Sequence, residues 1–208
     1  MTARPVTRPG GSGWLYGELL RGVSRSFFIT LRVLPGGLRE PLSLAYLLAR
    51  LTDTLADSAQ AGPDARLDML AGFRDAVAAQ AERPPAAVAT AAEAAAADHW
   101  ERRLLDAAPR LLRELARQPP EVARLIRAVI ATITDGQASD IRRFERAADR
   151  ARVVCLPDAA SLDDYTYSVA GCVGDFWSRL CALRLPRSLR RPLEPMAADG
   201  VRFGKGLQ

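Results

Sequence analysis

The sequence predicts an all-α fold, and three observations lead to that prediction. Ala, Leu and Arg dominate a chain of 208 residues in which 49% of the residues are hydrophobic. Runs rich in Val, Ile and Tyr, which are typical of strands, are nearly absent. Apolar residues instead recur at helical spacing between breaks that contain proline or glycine. A chain of this length can form one domain with a substantial core.

The predicted helices follow one another between these breaks. Residues 1–13 lack the apolar pattern and are predicted to be a flexible leader, whereas 14–208 are predicted to form a single all-α domain. The first helix is predicted at 14–22, and a second leads from the segment 24–28 to the break at 34–37. Further helices are predicted at 38–57, 65–80, 86–97, 100–117 and 121–148.

Several helix starts carry their own signals. Pro41 suits the first turn of the helix at 38–57, where an N–H has no partner in any case. The stretch 86–97 is rich in alanine, which favours helix. Ser161, followed three residues later by Asp164, resembles a capping box and predicts a helix that begins near Ser161. The last helix is predicted to begin near Arg187 and to continue to the end of the sequence.

The most informative pattern lies in the helix predicted at 38–57. At 100° per residue its polar side chains fall on one stripe, Tyr46, Arg50, Asp53 and Asp57, and its leucines fall on the opposite one, Leu44, Leu48, Leu51 and Leu55. Two carboxylates at i,i+4 repel each other by about 0.2–0.5 kcal/mol on a bare helix, and a cation between them reverses that sign. Hard ions such as Mg²⁺ bind carboxylates and fill their remaining positions with water and phosphate oxygens.

The polar stripe therefore predicts a metal-bridged diphosphate site, in which Arg50 supplies a fixed positive charge for the same anion. The alternative is an ordinary solvated face, on which Arg50 pairs with Asp53 at i,i+3. A second anion-binding segment is indicated by Ser24, Arg25 and Ser26, which lie near a helix start, where anions are favoured. The alternative for these serines is a simple N-cap.

The segment 163–180 is the other unusual feature. One face of its predicted helix carries Tyr165, Val169, Cys172 and Phe176, with Ser168 at the edge. Gly171 and Gly174 lie inside the helix, where each costs about 1 kcal/mol relative to alanine. The glycines indicate that something approaches the backbone closely. Two interpretations stay open: a cavity for a long hydrocarbon with a polar end, and tight packing of one helix on another.

Composition excludes several other classes of function. The net charge is +5, but the arginines are spread among aspartates and glutamates, so we expect no nucleic-acid binding. His99 is the only histidine, which excludes a site with several histidine ligands. The three cysteines, Cys155, Cys172 and Cys181, show no C-x-x-C spacing and are predicted to be buried thiols in a reducing compartment. No apolar run reaches the length of a membrane span, and a cytoplasmic location is predicted.

Four segments, in this order and spacing, resemble the squalene and phytoene synthase family. They are SRSF at 24–27, Y-x-x-x-R-x-x-D-x-x-x-D at 46–57, Y-x-x-x-V-A-G-x-V-G at 165–174 and F-G-x-x-L-Q at 203–208. The resemblance implies an all-α isoprenoid-synthase fold with a central cavity. It also implies an enzyme that joins two prenyl diphosphates head to head through a cyclopropylcarbinyl diphosphate. The predicted partners are thus small prenyl diphosphates, with peripheral membrane association only through the apolar product.

The resemblance also assigns roles to individual residues. Asp53 and Asp57 are expected to hold Mg²⁺, with Arg50 and Tyr46 beside them, and Tyr165 to assist proton removal or to stabilise carbocations. The substrate-binding residues that it implies are Ser24, Arg25, Ser26, Phe27, Tyr46, Val169, Ala170, Gly171, Val173, Gly174 and Gln208. The segments DTLAD and VAGCVGDFW favour farnesyl diphosphate as substrate. A phytoene-type reaction of geranylgeranyl diphosphate is the alternative, and a squalene product would require NADPH.

The end of the sequence departs from the family. In members of the family, a second aspartate-rich motif and further helices follow the glutamine to which Gln208 corresponds. No other acidic pair replaces that motif, because Asp163 and Asp164 suit helix capping, while Asp135 and Asp140, at i,i+5, do not share a face. We expect a domain truncated at its C-terminus and inactive by itself. The alternative is a non-catalytic chain that binds diphosphate or a partner.

Overall fold

The computed structural model describes residues 12–24, 26–94, 98–145 and 154–208. Within these ranges all regular structure is helical and there is no strand, so the predicted all-α class is confirmed. Of the predicted leader, only Ser12 and Gly13 are described, and both already belong to the first helix. No described helix has the length and apolar character that crossing a bilayer requires.

Ten helices occur in the described residues, and three of them include π-helical turns. The first, α1 (12–24), comprises Ser12–Trp14, a π-helical Leu15–Leu19 and Leu20–Ser24. It is followed by α2 (Phe27–Val33), α3 (Gly36–Ala56), α4 (Pro63–Ala78), α5 (Ala86–Ala94), α6 (His99–Asp106), α7 (Ala108–Ala116) and α8 (Pro120–Asp140, extended by a π-helical Ile141–Glu145). The last two are α9 (Ala159–Thr166, π-helical Tyr167–Gly171, then Cys172–Arg184) and, after a 3₁₀ turn at Pro186–Ser188, α10 (Leu193–Leu207).

Helix α3 lies at the centre of the fold and is contacted by α2, α4, α6, α7, α8 and α9. The leucines of its apolar stripe are fully buried: Leu44, Leu48, Leu51 and Leu55, together with Leu47. Burying one such side chain contributes about 1.5–3 kcal/mol relative to leaving it in water. On the opposite stripe Tyr46, Arg50 and Asp53 are half-buried and Asp57 is exposed. The orientation predicted for this helix is therefore confirmed.

Pro41 lies inside α3 and not in its first turn, because the helix begins at Gly36, two residues earlier than predicted. Pro41 has no N–H to donate. The carbonyl of Gly37, four residues earlier, therefore accepts no i→i−4 hydrogen bond within the helix. Nε of Arg184, the last residue of α9, donates to this carbonyl at 3.1 Å. The arginine thus satisfies an acceptor that α3 leaves open, and it ties α9 to the start of α3.

Glycines bring α9 and α10 unusually close together. A Cβ atom on Gly174 would collide with the carbonyl of Gly200, and one on Gly204 would collide with the carbonyl of Ala170. A Cβ atom on Gly171 would lie 3.1 Å from Cγ of Lys205. The packing interpretation therefore accounts for the glycines inside α9, since the helix that approaches them is α10.

The helix predicted at 100–117 is divided into α6 and α7. Asp98 caps α6 by accepting hydrogen bonds from the amides of Trp100 and Glu101. Pro109 lies in the first turn of α7. In a single continuous helix Pro109 could not donate a hydrogen bond to the carbonyl of Leu105, and its ring would clash with that carbonyl. The chain therefore breaks at Ala107, which the sequence prediction missed.

The starts of α9 and α10 also differ from the prediction. The N-cap of α9 is Asp158, which accepts a hydrogen bond from the amide of Ser161 at 2.7 Å, so the predicted capping box is wrong. Asp163 does not cap this helix, because its carboxylate pairs with Nζ of Lys205 at 2.6 Å. Helix α10 begins at Leu193 and not near Arg187, since Pro192 precedes it and favours a start there.

The cysteine prediction is correct for only part of the set. Cys172 is buried and Cys181 is half-buried, but Cys155 is exposed, and all three are free thiols. The far ends of two predicted helices lie outside the described residues, namely 95–97 after α5 and 146–148 after α8.

Candidate functional site

The two aspartates predicted to bind metal lie at the C-terminal end of α3. Asp57 is the residue directly after the helix, and its amide closes the last turn by donating to the carbonyl of Asp53 at 2.8 Å. Burial raises the pKa of Asp53, and the nearby Asp57 raises it further, whereas Arg50 and a hydrogen bond from Gln137 lower it. A cation placed beside Asp53 would offset that desolvation, because it favours the charged carboxylate.

Helix α8 completes the surroundings of these aspartates. Nε2 of Gln137 donates to Oδ1 of Asp53 at 2.5 Å. A cleft of about 170 Å³ is lined by Asp53, Ala56, Asp57, Gln137, Asp140, Ile141 and Phe144. Burial raises the pKa of Asp140, and the positive charge of Arg143 opposes that shift. The cleft thus combines three carboxyl groups and one amide from two helices.

Sequence reasoning missed Gln137 and set Asp140 aside. The i,i+5 spacing predicts that Asp140 and Asp135 do not form a pair, and in the structure Asp135 instead accepts a hydrogen bond from Nη1 of Arg74 at 2.6 Å. The available signal was the i,i+3 spacing of Gln137 and Asp140, which places both on one face of α8. That signal could not show that the face meets α3.

Arg50 lies between two carboxylates one turn before Asp53. Its Nη2 donates to Oε1 of Glu101, on α6, at 3.0 Å. Its Nη1 lies 3.9 Å from Oδ2 of Asp53. Arg50 therefore contacts Asp53, as the alternative of a solvated face expects, and Glu101 fixes its position; its binding of diphosphate stays a prediction. Glu101 is a further residue that sequence reasoning missed.

One turn earlier still, the same face of α3 borders an apolar cavity of about 200 Å³. The rings of Tyr46 and Phe27 stack at its wall with their centroids 5.3 Å apart. The tyrosine hydroxyl donates to the carbonyl of Val23 at 3.3 Å. The remaining lining residues are Leu31, Leu42, Ala45, Ala49, Val129, Ile133, Val173, Phe176 and Trp177. A cavity with this lining suits a hydrocarbon.

The serines predicted near the diphosphate are placed differently from each other. Ser24 is buried, and its hydroxyl donates to the carbonyl of Leu20 at 2.5 Å, so the hydroxyl proton is already hydrogen-bonded within α1. Ser26 is exposed in the turn between α1 and α2. Arg25 lies outside the described residues. The structure therefore brings Phe27 and Tyr46 together, while the role of the serines stays a prediction.

The predicted residues of α9 face in more than one direction. Val173 lines the apolar cavity, whereas Gly171, Gly174 and Ala170 lie at the contact with α10. Tyr165 and Val169 are half-buried. They lie before or within the π-helical turn at 167–171, which carries more residues per turn than an α-helix. The stripe predicted from Tyr165 to Phe176 is therefore not straight.

Two aromatic or polar residues near this segment lie away from the apolar cavity. Tyr167 is exposed, and Nζ of Lys205 lies 5.6 Å from the centre of its ring. Gln208 is exposed at the end of α10. The predicted place of Gln208 at the edge of the site stays a prediction.

The described residues contain no group of three or more His, Cys, Asp or Glu side chains arranged to hold a metal ion. The best donors for a cation are Asp53 and Asp57. Next to them Oε1 of Gln137 is buried without a hydrogen-bond partner among the described residues. The two carboxylates are hard oxygen donors, of the kind that Mg²⁺ prefers. The residues at the end of α3 thus fit a magnesium ion whose other positions are filled by water and phosphate oxygens.

Comparison with known proteins adds an independent finding. The family model for squalene/phytoene synthase matches residues 20–208. Squalene synthase BSS of Botryococcus braunii is 27% identical over 163 residues, which are 78% of the chain and 31% of that protein. Squalene synthase ERG9 of Saccharomyces cerevisiae is 27% identical over 166 residues, which are 80% of the chain and 34% of that protein.

A solved structure has a similar fold. The complex of TcSQS with the ligand E5700 matches with a TM-score of 0.65 at 19% sequence identity, and it covers 92% of the chain and 48% of the TcSQS chain. The matched region therefore spans about a third of the length of the two squalene synthases and about half of the TcSQS chain.

Proposed function

The chain belongs to the squalene/phytoene synthase family, and from this premise we propose that it acts in the head-to-head condensation of two prenyl diphosphates. The observation that carries the proposal is the path along one face of α3. That face runs from the polar cleft at Asp53 and Asp57, past Arg50, to the apolar cavity at Tyr46. Seven residues of helix span about 10 Å. A prenyl diphosphate has the same order of parts, a charged head joined to a hydrocarbon.

The head of the substrate would bind at the end of α3. We propose that Asp53 and Asp57 hold Mg²⁺, which when bound would neutralise the charge that develops on the departing diphosphate. The guanidinium of Arg50 would bind the same oxygens, since its planar fork matches phosphate geometry. Its contact with Glu101 at 3.0 Å supports this role, because an arginine that is already held in place loses less freedom on binding.

The tail of the substrate would occupy the apolar cavity. Departure of diphosphate leaves an allylic cation, which water would capture, so the walls must keep water out. The stacked rings of Phe27 and Tyr46 offer π-faces on which positive charge is stabilised. Val173, Phe176 and Trp177 supply further apolar surface of the same cavity. For Tyr165 we keep the role that the resemblance implies, assistance in proton removal or stabilisation of carbocations.

Within the family, we propose two molecules of farnesyl diphosphate as the substrates and squalene or its precursor as the product. The segments DTLAD and VAGCVGDFW support this choice over geranylgeranyl diphosphate. Formation of squalene would require NADPH as a hydride donor. We further propose a cytoplasmic location, with contact to membranes only through the apolar product.

A binding experiment tests the proposal directly. Isothermal titration calorimetry with farnesyl diphosphate and Mg²⁺ should show binding to the protein and far weaker binding to Asp53→Asn, while the helical circular-dichroism signal stays the same. Asp135→Asn is the matched control, because this carboxylate is exposed and pairs with Arg74 on the surface. Equal binding to Asp53→Asn and to the unchanged protein would contradict the site.

A further inference from the structure

Gln137 lies where three helices meet. The neighbouring Gly136 brings α8 close to α9, since a Cβ atom there would lie 2.8 Å from Cβ of Ser168. From this turn the side chain of Gln137 reaches α3, where its Nε2 donates to Oδ1 of Asp53 at 2.5 Å. The position of the amide therefore depends on the packing of α8 against α9 as well as against α3.

The hydrogen bond defines the orientation of the Asp53 carboxylate. The χ2 angle of an aspartate has a broad distribution with no single preferred value. The orientation of the carboxylate plane therefore depends on the groups that contact the carboxylate. Oδ1 accepts from Gln137 on one side, and Oδ2 lies 3.9 Å from Nη1 of Arg50 on the other. Two groups from two helices thus hold the carboxylate, and hydrogen bonds to a charged acceptor are the stronger class.

The amide is not what stability of the fold alone requires. Oε1 of Gln137 is buried and has no hydrogen-bond partner in the described structure, and an unpaired buried acceptor is unfavourable. A methionine would fill almost the same volume without that cost. The feature that a methionine could not supply is the N–H that Asp53 accepts.

We propose that Gln137 is a positioning residue that holds the Asp53 carboxylate in the orientation that receives a divalent cation together with diphosphate. The proposal rests on the proposed function of this cleft. Gln137 acts through Asp53, and its own contact with the substrate is not required. Groups that hydrogen-bond a metal ligand typically change metal affinity by about 10–100-fold when they are removed.

The test measures binding of Mn²⁺ in the presence of inorganic diphosphate, by electron paramagnetic resonance. We expect Gln137→Met to weaken this binding by about 10–100-fold and to leave the melting temperature of the cation-free protein unchanged or higher. Gln137→Leu should behave in the same way and serves as the second variant should the methionine variant fold poorly. Ser139→Ala, at an exposed position of the same turn, is the matched control and should bind as the unchanged protein does.

A double-mutant cycle separates positioning from a general structural effect. Asp53→Glu keeps a carboxylate but lengthens the side chain, so it breaks the fitted hydrogen bond and lowers affinity by itself. If Gln137 acts through Asp53, adding Gln137→Met to Asp53→Glu should cause little further loss. Fully additive losses, or unchanged Mn²⁺ affinity in both Gln137 variants, would overturn the positioning role. Absence of Mn²⁺–diphosphate binding by the unchanged protein would overturn the proposed function as well.

Discussion

Arg50 is held between carboxylates on two helices, and this arrangement depends on the shape of the guanidinium. One nitrogen contacts Glu101 of α6 at 3.0 Å and the other lies 3.9 Å from Asp53. Both contacts are about one-third to one-half exposed, so they contribute little to stability, at most about 1 kcal/mol each. Their effect is to fix where the positive charge lies relative to the cleft.

Replacing Arg50 by lysine tests that view, because lysine keeps the charge and loses the fork. We expect Arg50→Lys to weaken binding of inorganic diphosphate with Mg²⁺ by about tenfold, or about 1.4 kcal/mol, while the free energy of unfolding changes by less than about 1 kcal/mol. Calorimetry and urea unfolding measure the two quantities. Arg113→Lys, at an exposed position of α7, is the control and should change neither. Unchanged diphosphate affinity in Arg50→Lys would show that charge alone suffices.

The three thiols differ in their surroundings and should differ in reactivity. Burial raises the pKa of Cys172 to about 11 and also raises the pKa of Cys181. Only the thiolate reacts, so both stay inert while the pH is well below these values, and their reactivity grows as the pH approaches them. Cys155 is exposed. We expect iodoacetamide at neutral pH to label Cys155 first.

Peptide mass spectrometry measures this order directly. In urea all three cysteines should react at similar rates, which provides the control for differences in the reagent's access. Raising the pH from 7 to 10 should accelerate labelling of Cys172 in the folded protein more than labelling of Cys155. Labelling of Cys172 as fast as Cys155 at neutral pH would mean that the middle of α9 is open to solvent.

At the scale of whole helices, the close approach of α9 and α10 depends on single glycines. Gly174→Ala would place a methyl group against the backbone carbonyl of Gly200, which cannot move independently of its helix. Overpacking typically costs about 1–3 kcal/mol, and because the methyl group meets backbone and not a flexible side chain, we expect a cost above the gain of about 1 kcal/mol from higher helix propensity. We expect urea unfolding of Gly174→Ala to show a net loss of stability.

Gly206→Ala is the matched control within α10. A Cβ atom at Gly206 would have no heavy atom of the described residues within 4 Å, so alanine there should raise the free energy of unfolding by up to about 1 kcal/mol through helix propensity alone. Opposite signs for the two substitutions are the expected result. A neutral Gly174→Ala would mean that α9 and α10 can separate at no cost.

The helices that sequence predicts well are those whose buried face repeats along their whole length. The leucine stripe of α3 is such a case, and it specifies both the helix and its orientation. The break between α6 and α7 carried a local signal too, since Pro109 lies within the stretch that was predicted to be one helix. The N-cap at Asp158 was also readable, but Ser161 offered a competing cap three residues later.

Contacts between helices were beyond the reach of the sequence pattern. The polar stripe of α3 indicated Asp53, Asp57 and Arg50 by their spacing within one helix. Gln137 and Glu101 lie 84 and 51 residues away from the side chains that they contact. No periodicity in one helix reports which residue of another helix will face it. The same limit applied to Gly174, for which packing and ligand contact predict the same residue type.

At the scale of the whole molecule, the polar cleft and the apolar cavity belong to one continuous face of α3; α8 lines both of them, and α9 lines the apolar cavity. A ligand that has only a charged head or only a hydrocarbon tail can use one of the two. A prenyl diphosphate can use both, and the two contributions share a single loss of translational freedom. The affinity of the protein for a prenyl diphosphate should therefore be far greater than its affinities for the head alone and for the tail alone added together.

Thermal unfolding measures this coupling in one experiment. A ligand that binds only the folded state at 100 times its dissociation constant stabilises it by about 2.7 kcal/mol. In a protein of about 200 residues that corresponds to a rise in melting temperature of about 5–11 °C. We expect a rise of this size with farnesyl diphosphate and Mg²⁺, and much smaller rises with inorganic diphosphate and Mg²⁺ or with farnesol alone. Removing the cation with EDTA should reduce the effect of farnesyl diphosphate to that of farnesol.

Two variants assign the stabilisation to its two sites. Asp53→Asn should lose the part that depends on Mg²⁺ and keep the small effect of farnesol, because the apolar cavity is unchanged. Val173→Trp, which would fill the cavity from α9, should abolish the effect of farnesol and retain that of inorganic diphosphate with Mg²⁺. If farnesyl diphosphate stabilised the protein equally with and without EDTA, its head would not be bound through a cation at the end of α3. The match between the order of parts in the ligand and the order of surfaces along the helix would then be coincidental.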